Sequence, residues 1–129
     1  MRRSREATAD SHFNCSDSER AAFEAGIKMG AIYHQFVGVP LSTDNVRTLE
    51  RAMEAGCSVQ PFVESVKVSI DRSMLRKKRG QYDYVSLSGE MLSVKMVVRY
   101  KSARVTASMK FVEDMNYPLM FIESISGAD

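Results

Sequence analysis

Two side chains in the segment FEAGIKMGAIYHQFVGVP, residues 23–40, could do chemistry: the carboxylate of Glu24 and the imidazole of His34. A carboxylate on a part-buried helix is usually an ion-pair partner, and Lys28 lies at the i,i+4 spacing that favours such a pair. The alternative is that Glu24 binds a flat ring whose guanidine-like edge presents two parallel N–H donors. His34 has a similar choice, because a histidine among apolar residues is more often buried and hydrogen-bonded than catalytic.

Two glycines, Gly26 and Gly30, lie inside the same helical pattern. Each destabilises a helix by about 1 kcal/mol relative to alanine. Close helix packing is the ordinary explanation. The functional alternative is that a ligand or another chain approaches the backbone at these positions.

Other candidates are weaker. A lone glutamine such as Gln60 ordinarily bonds to loop backbone, and the basic run at residues 76–79 is more often a solvated face than a nucleic-acid patch, although Tyr82 and Tyr84 follow it. The run lies in a predicted connection, residues 72–90, and long connections in compact domains are often functional. The chain has no phosphate-binding loop, nucleophile elbow or H-E-x-x-H pattern.

The cysteines and histidines do not indicate a metal or disulfide framework. His12 and His34 do not make a plausible zinc set with Cys15 and Cys57. The cysteines lie far apart without a C-x-x-C motif, which favours a reducing cytoplasm.

Two helices must position these residues. Ser16 and Glu19 form a capping-box pattern, which predicts a helix from Asp17 to Phe36. Its predicted buried face consists of Phe23, Ile27, Gly30, Ala31 and His34, spaced by three and four. A second helix opens at residues 42–44 and ends near Gly56, with a buried stripe predicted at Val46, Leu49, Met53 and Gly56.

After Pro61 the apolar period changes to two, which predicts strands. The predicted strands are residues 66–70, 92–100, 105–111 and 119–125, and a short hairpin connection at residues 101–103 joins the second to the third. Clean alternation is typical of antiparallel strands with one face covered. The fold class is therefore α+β: two N-terminal helices packed on one face of a mostly antiparallel sheet of about four strands. Its polar face, with Lys95, Arg99, Arg104 and Lys110, is either solvated or part of a subunit interface.

Length and composition fit one globular domain. The 129 residues include 44% hydrophobic and 26% charged residues, with a net charge of +2 that is too small to indicate a nucleic-acid partner. No apolar run approaches the roughly 18 residues of a membrane span. Residues 1–14 are predicted to be a flexible basic tail, and residues 15–129 a single domain.

Five sequence blocks occur in order within a similarity that covers about residues 13–126: FEAGIKMGAIYHQFVGVPLS, LERA, QPFVE, YVSLSGEML and YPLMFIE. Together they resemble the archaeal dihydroneopterin aldolases, over nearly the whole chain. That family is unrelated in fold to the bacterial dihydroneopterin aldolases, and the resemblance implies a small α+β subunit.

The resemblance also implies roles for four residues. Glu24 matches the carboxylate that binds the pterin ring, His34 a histidine that holds a catalytic water, and Gln60 the glutamine that shares this water. The tyrosine that acts as general acid falls at Tyr84, which directly precedes Val-Ser-Leu-Ser-Gly, with Tyr82 as the alternative.

The function implied is cleavage of dihydroneopterin to 6-hydroxymethyl-dihydropterin and glycolaldehyde by retro-aldol chemistry without metal or cofactor. The pathway implied is the biosynthesis of tetrahydromethanopterin or a folate-like coenzyme. The protein is expected to be a cytoplasmic homotetramer with sites near subunit contacts and a small-molecule pterin substrate, without nucleic-acid or membrane partners. The alternative is a non-catalytic oligomeric module that binds pterins or purines.

Overall fold

The structure is a computed structural model that describes residues 4–77 and 82–127, without the side chain of Lys77. The helices within these ranges are α1 (Arg5–Asp10), α2 (Asp17–Phe36), α3 (Val46–Ser58) and α4 (Arg72–Lys77). The strands are β1 (Pro40–Leu41), β2 (Val63–Ile70), β3 (Val85–Ser86), β4 (Leu92–Tyr100), β5 (Ala103–Val112) and β6 (Tyr117–Ser126).

Helix α2 begins with the predicted capping box. The Ser16 hydroxyl accepts a hydrogen bond from the Glu19 N–H, and the Glu19 carboxylate accepts one from the Ser16 N–H at 2.8 Å. These two bonds satisfy backbone donors that the first turn leaves without helical partners. The helix ends at Phe36, and Gly38 follows with φ +103, a conformation that favours glycine. Both predicted ends of the helix are confirmed.

The predicted buried face of α2 is wrong. Phe23 and Ile27 are 56% and 51% exposed, and His34 is also exposed. The residues that are buried are Arg20, Ala21, Ala25, Lys28, Met29 and Ile32. The helix carries apolar residues on two sides, and the side with small alanines packs closely on the sheet, which leaves the larger side chains on the outside of this chain.

Helix α3 buries Val46, Glu50, Met53 and Cys57. Val46 and Met53 agree with the predicted stripe, whereas Gly56 is exposed. Glu50 is buried because its carboxylate accepts hydrogen bonds from the Ile70 N–H at 2.8 Å, from Arg72 and from Arg47. A buried charge is tolerated where it is paired and hydrogen-bonded in this way.

The main sheet has four antiparallel strands in the order β2-β4-β5-β6, and β1 pairs with β3 in a separate two-stranded ladder. Lys101 and Ser102 connect β4 to β5, where Tyr100 pairs with Ala103. Helix α2 packs on β4 and β5, and α3 packs on β2, so one core lies between the helices and one sheet face. The predicted α+β fold class is confirmed.

The opposite sheet face carries the exposed cations Lys95, Arg99, Arg104 and Lys110, as predicted. Lys95 pairs with Glu123 at 3.2 Å, and Arg104 forms a bidentate pair with Glu64. Exposed pairs of this kind contribute little to stability.

The N-terminal segment contains helix α1, which buries none of its residues. Its last residue, Asp10, is partly buried through an ion pair to Arg20 at 2.9 Å. A short helix and an anchoring ion pair therefore lie within residues 1–14, the segment predicted to be a flexible tail. In the described part of the chain, none of the helices combines the length and apolar character needed to cross a membrane.

Candidate functional site

Glu24 lies in the middle of α2 between two cations of the same helix. Its Oε2 accepts a hydrogen bond from Arg20 Nε at 2.8 Å, and its Oε1 accepts one from Lys28 Nζ at 2.9 Å. Partial burial alone would raise the pKa of Glu24 above its ordinary 4.5, but these two bonds outweigh burial and the pKa is lowered. The predicted ion pair with Lys28 is confirmed, and the carboxylate is held ionised in a fixed orientation.

Arg20 is enclosed by aromatic rings. Its Cζ lies 3.6 Å from the centroid of Phe13, 4.7 Å from that of Tyr100 and 5.4 Å from that of Phe62. A guanidinium stacked on ring faces gains cation–π attraction while its N–H groups remain available to carboxylates. Arg20 uses those N–H groups on Glu24 and on Asp10.

The loop that carries Gln60 contacts this cluster through the Phe62 side chain. The Phe62 backbone has φ 72, in the left-handed region, and its carbonyl accepts a hydrogen bond from the Arg99 N–H at 2.8 Å. Its ring lies 5.9 Å from Lys28 Nζ and packs edge-on against Tyr100 at 5.4 Å. A non-glycine residue in this conformation stores strain that the surrounding contacts must offset. Gln60 is half-buried, two residues before Phe62.

His34 lies apart from Glu24 in the same chain. It is exposed near the end of α2, where its ring meets Tyr33 edge-on at 5.3 Å. Ten residues of helix separate it from Glu24, a rise of roughly 15 Å along the axis. The two side chains are therefore not in contact with each other within one chain.

Tyr84 is half-exposed and stacks on Tyr82, with ring centroids 6.1 Å apart and planes at 11°. It lines a cavity of about 30 Å³ together with Leu41, Thr43, Leu75, Arg76, Asp83 and Val85. That volume holds about one or two waters and no pterin. Both candidate tyrosines are thus accessible from outside the chain. Residues 78 and 79 of the basic run at residues 76–79 lie outside the described residues.

The glycines of α2 are not explained by packing within the chain. A Cβ atom built on Gly26 or on Gly30 would meet no atom within 4 Å. Gly26 lines an apolar groove of about 160 Å³ between α2 and β5–β6, together with Ala22, Met29, Met120 and Ile122. Intrachain helix packing, the ordinary explanation, is therefore wrong here, and the backbone at these positions faces open space.

The structure adds three residues that sequence reasoning missed: Asp10, Arg20 and Phe62. Arg20 had a detectable signal, since it precedes Glu24 by four residues. Asp10 and Phe62 had none, because they reach the site only through the tertiary fold. Within residues 4–77 and 82–127, no group of His, Cys, Asp and Glu side chains is arranged to hold a metal ion.

The chain matches a family of known proteins over most of its length. Residues 16–123 match the family model described as dihydroneopterin aldolase. A curated Picrophilus torridus protein of that name is 38% identical over 117 residues, which cover 91% of this chain and 96% of the relative. A curated Methanopyrus kandleri protein of the same name is 40% identical over 111 residues, which cover 85% of this chain and 90% of the relative.

A similar structure is also known. The crystal structure of a Picrophilus torridus protein aligns with a TM-score of 0.81 at 38% sequence identity, and the alignment covers 89% of this chain and 93% of that chain. Sequence and structure thus agree over the same α+β domain.

Proposed function

Because the chain belongs to the dihydroneopterin aldolase family, we propose that it cleaves dihydroneopterin to 6-hydroxymethyl-dihydropterin and glycolaldehyde. The family predicted from the sequence blocks is confirmed by the family match and by both archaeal relatives. Membership makes the protein an aldolase, a carbon–carbon lyase. The particular products and the route to them are the proposal.

The observation that carries the proposal is the ionised Glu24 carboxylate. It is 13% exposed and fixed by Arg20 and Lys28. The ring of a pterin presents a ring N–H and an exocyclic amino group side by side, and a carboxylate accepts both in a charge-assisted pair. A carboxylate that stays charged at neutral pH suits this role.

The proposed chemistry needs a base, an electron sink and an acid. The base removes the proton from the second hydroxyl of the side chain, the bond between the first and second side-chain carbons breaks, and glycolaldehyde leaves. The electron pair moves into the ring imine, where an acid protonates the nitrogen. Protonation of the first side-chain carbon and loss of the proton from the nitrogen then restore the imine. Because the substrate supplies its own sink, the mechanism requires neither a metal nor a lysine Schiff base.

In this mechanism His34 and Gln60 hold the water that acts as base, and Tyr84 is the acid. Neutral imidazole can accept a proton from a bound water. The half-exposed Tyr84 ring can reach a substrate held outside its own chain, which supports its assignment.

We further propose that a complete site is built from more than one chain. The rise of roughly 15 Å between Glu24 and His34 supports a site assembled from different subunits. Open backbone at Gly26 and exposed apolar side chains at Phe23, Ile27 and Ile122 support a homo-oligomer, proposed to be a tetramer.

The biological setting is also part of the proposal. The archaeal origin of both relatives supports a role in tetrahydromethanopterin or folate-like coenzyme biosynthesis. Two free cysteines, Cys15 and Cys57, support a reducing cytoplasm.

The first test is turnover with and without the Glu24 carboxylate. Metal-stripped wild type should convert dihydroneopterin to hydroxymethyl-dihydropterin, detected as fluorescent pterins after oxidation. Glu24→Gln should raise KM by about ten-fold or more, since a hydrogen bond to a charged group contributes about 1.5–3 kcal/mol. A folded wild type that binds pterin without releasing product would contradict the aldolase and favour the pterin- or purine-binding module.

A further inference from the structure

Four charged side chains, three of them on α2, form a row of alternating sign. Asp10 pairs with Arg20 at 2.9 Å, Arg20 with Glu24 at 2.8 Å, and Glu24 with Lys28 at 2.9 Å. Asp10 comes from outside the helix. The row therefore ties the N-terminal segment to the carboxylate that we assign to the substrate ring.

Burial distinguishes this row from a solvated charge pattern. The side chains of Arg20 and Lys28 are 5% and 4% exposed, and that of Asp10 is 33% exposed. Phe13 covers the Arg20 guanidinium on one side, and Tyr100 of β4 contacts the same group. Charged side chains are almost never this buried unless each is paired, and here each cation faces a carboxylate.

Arg20 orients the Glu24 carboxylate but leaves some of its hydrogen-bond acceptor positions unoccupied. Each carboxylate oxygen can accept two hydrogen bonds. Among the described residues, Oε2 of Glu24 accepts a hydrogen bond from Arg20 Nε, and Oε1 accepts one from Lys28 Nζ. Each oxygen therefore has one protein donor within the described part of the chain. One acceptor position on each oxygen remains for the two parallel donors of a ligand ring.

We propose that Arg20, held by Asp10 and Phe13 of the N-terminal strap (residues 4–13), is a positioning residue that fixes Glu24 for the substrate ring. The proposal rests on the proposed function of Glu24. The strap precedes residue 16, where the family match begins, so it is a support that the family model does not include.

The arrangement also sets the pH range of ring binding. The titratable or charged groups that act on Glu24 and Arg20 are Lys28 on α2, Asp10 on the strap and Tyr100 on β4. Cys57 on α3 faces Lys28. Burial alone would raise the pKa of Glu24, but hydrogen bonds from Lys28 and Arg20 outweigh it and lower the pKa. Ring binding therefore persists above that lowered value and is lost as the pH falls through it. Removing Arg20 moves this loss to higher pH.

The test compares Arg20→Gln with Arg51→Gln, which removes the same charge from an exposed position on α3. Arg20→Gln should raise KM for dihydroneopterin by about ten-fold, the size of a charged hydrogen bond, and leave kcat within about two-fold. The acid limb of its kcat/KM profile should move to higher pH, whereas Arg51→Gln should match wild type. An unchanged KM and acid limb in a folded Arg20→Gln would overturn the proposal.

A double-mutant cycle separates positioning from simple stabilisation. If Arg20 acts through Glu24, Arg20→Gln should change KM by less than about two-fold in a Glu24→Gln background. If Arg20 only stabilised the fold, Arg20→Gln would raise KM by the same factor of about ten in the Glu24→Gln background. If Arg20→Gln fails to fold, Asp10→Asn and Phe13→Ala test the positioning role instead, because each releases Arg20 from the strap without removing it. Both should raise KM, and a lower KM in either would show that the strap obstructs the ring instead of supporting its site.

Failure of this inference is distinguishable from failure of the proposed function. Turnover by wild type with a raised KM in Glu24→Gln but not in Arg20→Gln rejects only the role of Arg20. A wild type without product rejects the aldolase, and the same variants are then compared by their Kd for dihydroneopterin. Equal Kd values for wild type and Arg20→Gln would reject the role of Arg20 in that case as well.

Discussion

At the scale of single residues, two carboxylates of this chain are held in opposite ways. Glu50 accepts hydrogen bonds from Arg72, from Arg47 and from the backbone of Ile70. Donors from three elements therefore occupy the acceptor positions of its carboxylate. Glu24 accepts only side chains of its own helix among the described residues. The first pattern joins α3 to the sheet, whereas the second leaves acceptor positions for a ligand. We therefore expect Glu50 to govern stability and Glu24 to govern substrate binding.

Glu50→Gln should lower the free energy of unfolding by about 2–3 kcal/mol at neutral pH, because it weakens charged hydrogen bonds at a buried site. Burial alone would raise the pKa of Glu50, but hydrogen bonds from Arg72, Ile70 and Arg47 lower it from 4.5 to about 2. The stabilisation is thus complete above pH 4.5 and is lost as the pH falls towards 2. Denaturant unfolding between pH 7 and pH 3 measures the difference from wild type, which should shrink below pH 4.5.

The control for this experiment is Glu64→Gln, which breaks the exposed pair with Arg104. Its cost should stay below about 1 kcal/mol at every pH. Equal losses for Glu50→Gln and Glu64→Gln would contradict the structural role of Glu50.

At the scale of elements, nothing inside the described chain sterically requires a glycine at position 26 of α2. Gly26→Ala should therefore stabilise an isolated subunit by up to about 1 kcal/mol through helix propensity. If a ligand or another chain approaches this backbone, the same methyl group should weaken assembly or raise KM. Thermal unfolding, light scattering and turnover measured on one sample separate the two effects. A more stable variant with unchanged assembly and KM would leave the glycine without a functional reason.

Gly89 is the matched comparison for Gly26. A Cβ at Gly89 would lie 2.9 Å from Pro118 Cγ and 2.9 Å from Tyr33 Cε2, so Gly89→Ala must displace a side chain. We expect it to lower the free energy of unfolding by about 1–3 kcal/mol, in the range of overpacked cores. The opposite signs expected for Gly26→Ala and Gly89→Ala are read from the same unfolding experiment.

The elements were predictable from sequence to different degrees. The capping box at Ser16 and Glu19 marked the start of α2, and strict alternation marked β4 and β5. The buried face of α2 was not predictable, because the helix has apolar residues on two sides and only tertiary packing selects one. Helix α1 was missed because it has six residues and buries none of them. The Glu24–Lys28 pair followed from local spacing, whereas Asp10 and Phe62 depend on contacts distant in sequence.

At the scale of the whole molecule, the exposed apolar side chains of α2 and β6 should lie between subunits. The protein should behave in light scattering as a particle of about four times its 14.5 kDa subunit mass. Ile27→Glu should reduce that mass, because a charge replaces an apolar side chain that is 51% exposed. Ala55→Glu, an exposed position on α3, is the control and should remain assembled. A wild type that elutes as a monomer would contradict the assembly.

Glu24 and His34 lie on one helix with a rise of roughly 15 Å between them, and in the proposed assembly each subunit contributes them to two different sites. Two variants with little activity at low substrate should then complement each other. Glu24→Gln and His34→Ala, produced separately, should show little turnover at low substrate. Unfolded together and reassembled in equal amounts, they should recover about one quarter of the wild-type sites, those in which both contributing chains carry the native residue. Complementation between variants would thus reveal, from activity alone, that the sites are shared between subunits.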